Sequence, residues 1–263
     1  MPYEHLQRRK SLALPVYNPV RSFVQPTAST ATTFIFHAKR AMSNSMPSQT
    51  SFLATEEPDD ALCRHFSLAK TTLPSNTPLQ PSYTMELIAP VLHLPTHLLA
   101  VKLPAPQSVT MLLPIDAHLY HSAFDNASIL PQTGPDTPPP SPSLDSAKQA
   151  FVVTLPVVPV PATPHPASLS LVLLFGLGLE TDRNLLATQL LPSEAIAEFP
   201  NAAAMAGVVS HLRTPDFDRY WALNQGAWKN TLALAARDAN LTELVPMTLK
   251  VVADARKLRI RRW

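Results

Sequence analysis

The side chains with the most chemical potential are few and scattered. Cys63 lies in Cys63-Arg64-His65-Phe66, where two adjacent basic groups could lower its pKa and generate a thiolate. A nucleophilic enzyme also needs fixed oxyanion donors and an orienting third group, and a lone thiol in a Ser/Thr/Pro-rich stretch predicts neither. His93 and His97 have the i,i+4 spacing of two ligands on one helix, but Pro95 between them opposes a regular helix. His118 and His121 can share a helical face, yet no acid or cysteine stands at ligand spacing, so the histidines read as structural. FGLGLE offers a bare Gly-x-Gly after a helix-like run, the wrong context for a dinucleotide. The sequence has no Gly-x-Ser-x-Gly elbow, phosphate-binding loop or His-Glu-x-x-His. A non-enzyme without metal or cofactor is the expectation.

Two other segments look regulatory. Arg256, Lys257, Arg259, Arg261 and Arg262 place five cations in the eight residues 256–263, with no acid among them. Such density suits an import-receptor groove or a phosphate backbone, and basic residues at a helix end also complement its dipole. Without a base-reading motif, nuclear import ranks first and specific DNA reading last. Thr137 and Ser141 each precede proline within QTGPDTPPPSPSLDSAKQ, the local chemistry favoured by proline-directed kinases. A phosphate at either would add about −1.5 to −2 charge beside Asp136 or Asp145 and extend the loop.

The elements that must position these groups follow from the distribution of proline. Of 29 prolines, 25 lie at or before Pro166, so a Pro-studded half joins a helix-competent half across 151–191. Charge is segregated too: residues 1–55 carry six basic groups against Glu4 alone, whereas 56–149 carry nine acidic against four basic. Residues 1–82, rich in Ser, Thr and Pro, are expected to be mostly disordered, with one isolated strand candidate at 33–37 and a short basic cluster at Arg8, Arg9 and Lys10. Their start lacks the apolar region of a secretory signal; it has some mitochondrial transit character, interrupted by Pro15, Pro19 and Pro26. The longest uncharged apolar run, 168–179, is too short to span a bilayer.

From Tyr83 the pattern tightens into short strands and single turns. Ser108 to Ile115 predicts a strand, Asp116 an N-cap, and a short helix runs on to Phe124. Residues 125–149 read as a Pro-rich surface insert. Phe151 to Val160 is a second β-branched strand whose prolines at 156, 159 and 161 confine its end to an edge or an exit. Ala167 to Leu179, apolar nearly all round, predicts a central buried helix, with Gly176 and Gly178 marking its end or a close contact. Helices follow, capped by Thr181 or Asp182, by Ser193, by Asn201 and by Thr214 with Pro215. The one opened at Thr214 is expected to reach Asp238, with a kink at Gly226 and Phe217, Tyr220, Trp221, Trp228, Leu232 and Ala235 on one stripe. A final helix spans Val245 to about Arg259. The fold class is α+β: a core at 83–255 behind a disordered 1–82, with an insert at 125–149 and a basic tail at 256–263.

Taken in order, LLPIDAHLYHSAF, a long insert, VVTLPVVPVPATPHPASLSLVLLFGLGLETDRNLL and DFDRYWALNQGAWKNTLALAARD resemble the clampless proteins of basidiomycete fungi, whose middle part is similar to a degenerate BTB/POZ fold. The likeness sits on Leu94 to Val101, Leu113 to His118, Thr154 to Val160 and Leu173 to Leu186, within about residues 90–250. It implies a regulator of sexual development and clamp-cell formation, acting in the nucleus through protein partners such as transcription regulators rather than by catalysis. Homo-oligomerisation is left open, direct nucleic-acid binding is disfavoured, and cytoplasmic or mitochondrial residence are the alternatives. The rival functions are a BTB-like adaptor for a cullin ubiquitin ligase and a small hydrolase with degenerate motifs.

Overall fold

The runs HLLAVK and VTMLLPI are continuously apolar rather than alternating, which suits strands covered on both faces. In the computed structural model, which describes residues 51–74, 76–89, 93–105, 108–126, 128–130, 140–160 and 165–261, they form the centre of a mixed sheet. Its strands are β1 (Thr71–Pro74), β2 (Ser82–Glu86), β3 (His97–Lys102), β4 (Val109–Ile115), β5 (Ser143–Asp145) and β6 (Ala150–Pro159). Their order is β1-β4-β3-β6-β2, with β5 also paired to β6. Residues 97–101 of β3 and 110–115 of β4 are buried without a break, so both faces of this hairpin are covered.

β6 is paired on both sides along much of its length, and its prolines fall where that pairing lapses, toward the end that they are expected to confine to an edge or an exit. It pairs antiparallel with β2 along Val152–Pro156, while on its other side β5 takes Ala150–Val152 and β3 takes Val157–Pro159 in parallel. Pro156 falls where one partner has ended and the next has not begun, so its missing N–H removes no ladder bond. Val157 N–H points to Pro81 of the β2 side, and Val160 N–H to Ala100 of β3. By alternation, the position of Pro159 faces the β2 side, beyond the end of that strand.

Eight helices accompany the sheet among the described residues: α1 (Pro58–His65), α2 (Ala117–Ala123), α3 (Leu169–Gly176), α4 (Arg183–Leu190), α5 (Ser193–Ile196), α6 (Ala202–Ser210), α7 (Thr214–Leu234) and α8 (Ala239–Ile260). In α3 every residue from Leu169 to Phe175 is buried, and it packs against α1, α7 and α8. Asp116, Asp182 and Asn201 cap α2, α4 and α6 as their side chains accept N–H bonds from Leu119, Asn184 and Ala204. Ser193 lies inside α5 rather than capping it. Leu191, Ala195, Met205, Val209, Phe217, Val252 and Ala255 form a second, smaller core between α5, α6 and the facing ends of α7 and α8.

Several boundaries differ from expectation. Residues 51–74 belong to the fold: Leu53, Leu62, Phe66 and Leu68 are each at most 2% exposed, because they join the main core as α1 packs against α3 and β4. The core therefore begins well before Tyr83; the basic cluster and the strand candidate at 33–37 lie outside the described residues. The insert is shorter than its composition implies. Asp125 and Asn126 bond to the carbonyls of Ala235 and Leu234, Leu130 is buried, and β5 closes a hairpin on β6. α7 is continuous through Gly226; a Cβ there would lie 2.2 Å from Cγ of His165, so the missing side chain makes room for that ring. The helix stops at Ala235, which takes φ 51°, leaving Leu232 exposed and Ala235 off the stripe. α8 begins six residues before Val245, capped by Asp238, and contains Pro246 in its interior.

Gly176 and Ala235 should respond in opposite senses. A Cβ on Gly176 would stand 2.2 Å from Cζ of buried Phe124, so Gly176→Ala should lower stability by roughly 1–3 kcal/mol in urea unfolding. Ala235→Gly relieves a left-handed backbone and should raise it by about 1 kcal/mol.

Candidate interaction site

α7 and α8 run antiparallel, so the basic end of α8 lies beside the start of α7 and the end of α6. Arg259 is fully engaged there. Its Nη1 donates to the carbonyls of Leu212 (2.6 Å) and Ser210 (3.1 Å), Nη2 donates to Oγ1 of Thr214 (3.0 Å), and its guanidinium carbon sits 4.6 Å from the Phe217 ring centroid. One planar cation thus satisfies carbonyls at the end of α6, where the helix dipole is negative, and stacks on an aromatic ring at the start of α7. Arg256 lies 4.7 Å over the Trp221 ring. Lys257 is 2.9 Å from Asp254, and its hydrogen bond holds that carboxyl below the ordinary range. Arg256, Lys257 and Arg261 are exposed, whereas Arg262 is outside the described residues. The import candidates therefore separate into one clamped residue, Arg259, and three that reach solvent.

Ser141 is exposed two residues before β5, and Thr137 lies outside the described residues. Asp145, expected to oppose a phosphate, turns its carboxylate to the N–H groups of Ala147 and Lys148 at the hairpin.

The Cys63 thiol is pushed up to about 12, by burial first and then by Asp59 and Asp60, with Lys70 acting in the other direction. Arg64 and His65 do not activate it because both look elsewhere, Arg64 to Glu56 at 3.2 Å and His65 to Glu180 at 3.1 Å. A shallow cleft of about 460 Å³ opens beside Cys63, edged by Glu56, Glu57, Asp60, Arg64 and Lys70. Glu180, only 5% exposed, accepts from Ser51 Oγ at 2.7 Å and bonds His65 through the same oxygen, Oε1. This clasp joins the approach to α1 to the end of α3. Since the carboxylate stands between serine and histidine, it orients no nucleophile. Nothing in the spacing of 51, 65 and 180 announces it; the one available signal is an acid closing the apolar run SLSLVLLFGLGL.

His93 and His97 take different polar partners. His93 Nε2 is 3.2 Å from Oδ2 of Asp116, and His97 Nδ1 is 2.9 Å from Thr96 Oγ1, which in turn accepts the N–H of Ala117. Among the described residues no three His, Cys, Asp or Glu side chains are grouped to hold a metal ion, and no helix is long and apolar enough to cross a membrane. Asn224 and Asn230, unremarked in the sequence pattern, are buried in α7 and bind outward to neighbouring backbone: Asn224 to Leu190 O at 2.7 Å, Asn230 to His165 O at 2.8 Å. No family model, no curated protein and no solved structure matches this chain.

Two measurements check this electrostatic picture. Native Cys63 should resist iodoacetamide at pH 8 and react at once in guanidinium, since a thiol raised to about 12 supplies almost no thiolate. His97 and His165 are both held below the ordinary 6.5: His97 by burial and by His121 against the pull of Asp116, His165 by burial and by Lys229. The unfolded chain then binds more protons below that value, so this contribution is complete above about pH 6.5 and is lost as pH falls toward the folded pKa values. The urea midpoint should drop from pH 7.5 to 5.5, less steeply in His165→Asn.

Proposed function

We propose that this chain is a non-enzymatic, nuclear, regulatory protein-interaction protein, of the kind its likeness to the fungal clampless proteins implies, with a BTB/POZ-like middle region. The observation that carries the reading is the solvent exposure of Arg256, Lys257 and Arg261 at the end of α8, where a dense cationic segment lies on the surface of the fold. Asp216, bonded to Arg213, and Asp254, bonded to Lys257, interleave acids with these cations. A mixed-charge face suits a protein partner better than a phosphate backbone, which rewards unbroken positive charge.

The four segments that carry the resemblance support a common structural unit. Leu94 to Val101 leads into and fills β3, Leu113 to His118 joins β4 to α2, Thr154 to Val160 runs along β6, and Leu173 to Leu186 links α3 to α4. Leu98, Leu113, Leu155, Leu173 and Leu186 come together in one core despite their distance along the chain. A link to sexual development and clamp-cell formation rests on that likeness.

Localisation of the fluorescently tagged full chain tests the proposal. The informative variant replaces Arg256, Lys257, Arg261 and Arg262 by alanine and keeps Arg259, whose loss would damage the α6–α7 junction. Nuclear signal in the parent and its loss in the variant are expected. A distribution unaffected by the four substitutions would defeat the import reading.

A further inference from the structure

The basic segment has two incompatible uses for the same residues. A receptor that reads dense linear charge must meet several consecutive cations along one groove, as an extended peptide allows at about 3.3 Å per residue. In α8 successive side chains diverge by about 100°, so Lys257 and Arg261 face solvent while Arg256 lies on Trp221 and Arg259 on Phe217. Four contacts of Arg259 hold that arrangement: hydrogen bonds to two backbone carbonyls and to the Thr214 hydroxyl, and the Phe217 ring contact. Immediately beneath, Val251, Val252 and Ala255 are packed into the smaller core, so the helix is anchored up to the point where the charges begin.

We infer that Arg259 is an autoinhibitory clamp: it keeps the basic segment helical and folded down, so that an acidic-grooved import receptor can engage it only after the last turns of α8 unwind. The inference rests on the import reading of this segment. Receptor affinity is then scaled by the fraction of molecules with the end of α8 open. Anything that competes for Arg259 at the α6–α7 junction would raise that fraction. The cation that contributes to the signal is the same one that hides it.

Arg259→Lys separates these roles, because lysine keeps the charge but cannot serve three acceptors with a planar fork. The full-length chain, its Arg259→Lys variant and the Arg256→Ala/Lys257→Ala/Arg261→Ala triple variant are titrated with a purified importin whose peptide groove is free. Hydrogen exchange at 254–261 is followed in parallel. Expected are faster exchange in Arg259→Lys, about tenfold tighter receptor binding than the parent, and no binding by the triple variant. Thr214→Val, which removes one acceptor without touching the signal, should shift both readouts the same way to a smaller extent, and it decides the matter if Arg259→Lys fails to fold. Parent-like affinity with faster exchange would overturn the clamp while leaving import standing, provided the triple variant still loses binding. Failure of every form to bind would overturn both.

Discussion

The rest of the fold depends on the enclosure of α3. Seven consecutive residues, Leu169 to Phe175, are buried, and no one face of a helix can achieve that against a single partner. Leaving even two of its leucines in water would cost about 3–6 kcal/mol, comparable to the whole stability of many domains. Enclosure requires α1, α7 and α8 as well as the hydrophobic side chains of the sheet. It also fixes the polar details around it. Gly176 lets Phe124 close the end of the helix, and Gly226 and Asn230 shape the turn that enters it. Glu180, carried inward just beyond the last turn, draws Ser51 and His65 to itself as hydrogen-bond partners.

A chain with 29 prolines and five glycines must solve its backbone problems by placement. β6 accommodates prolines because it changes partners along its length, antiparallel to β5 and then parallel to β3 on one side. Left-handed turns fall to Ser67, Ser108, Gln149 and Ala235, where glycine would be the unstrained choice. Ala235 ends α7 and thereby sets the α7–α8 corner, to which the residues after α2 are bound through Asp125 and Asn126. Arg237 reinforces the corner from the other side by pairing with Asp125 and donating to Ser122 O.

The basic surface at the end of α8 follows from the same packing. The smaller helical core brings the end of α8 against the junction of α6 and α7, so charges adjacent in sequence acquire different tasks. Arg259 becomes part of the junction, Arg256 covers Trp221, and Lys257 with Arg261 remains at the surface. A proposed signal and a structural clamp thus occupy one helical turn, and unwinding that turn is the physical event that would link them.

The sequence by itself determined what local chemistry can dictate: the β-branched and apolar runs that become β4 and β6, the caps Asp116 and Asn201, a cap at Thr181 or Asp182, and the all-apolar α3 with glycines at its end or at a close contact. It also delivered the density of cations after Ala255. Tertiary structure alone decided the rest. Residues 51–74 are too polar to fold by themselves and gain order only because α3 offers them a surface, which composition over that window cannot reveal. Likewise, whether a guanidinium serves a partner or a helix end depends on which carbonyls lie within hydrogen-bond reach of it, and for Arg259 those come from residues 210 and 212, far away along the chain. Periodicity and capping act over a few residues and are written locally, whereas burial and charge pairing are set by which distant elements the core brings together.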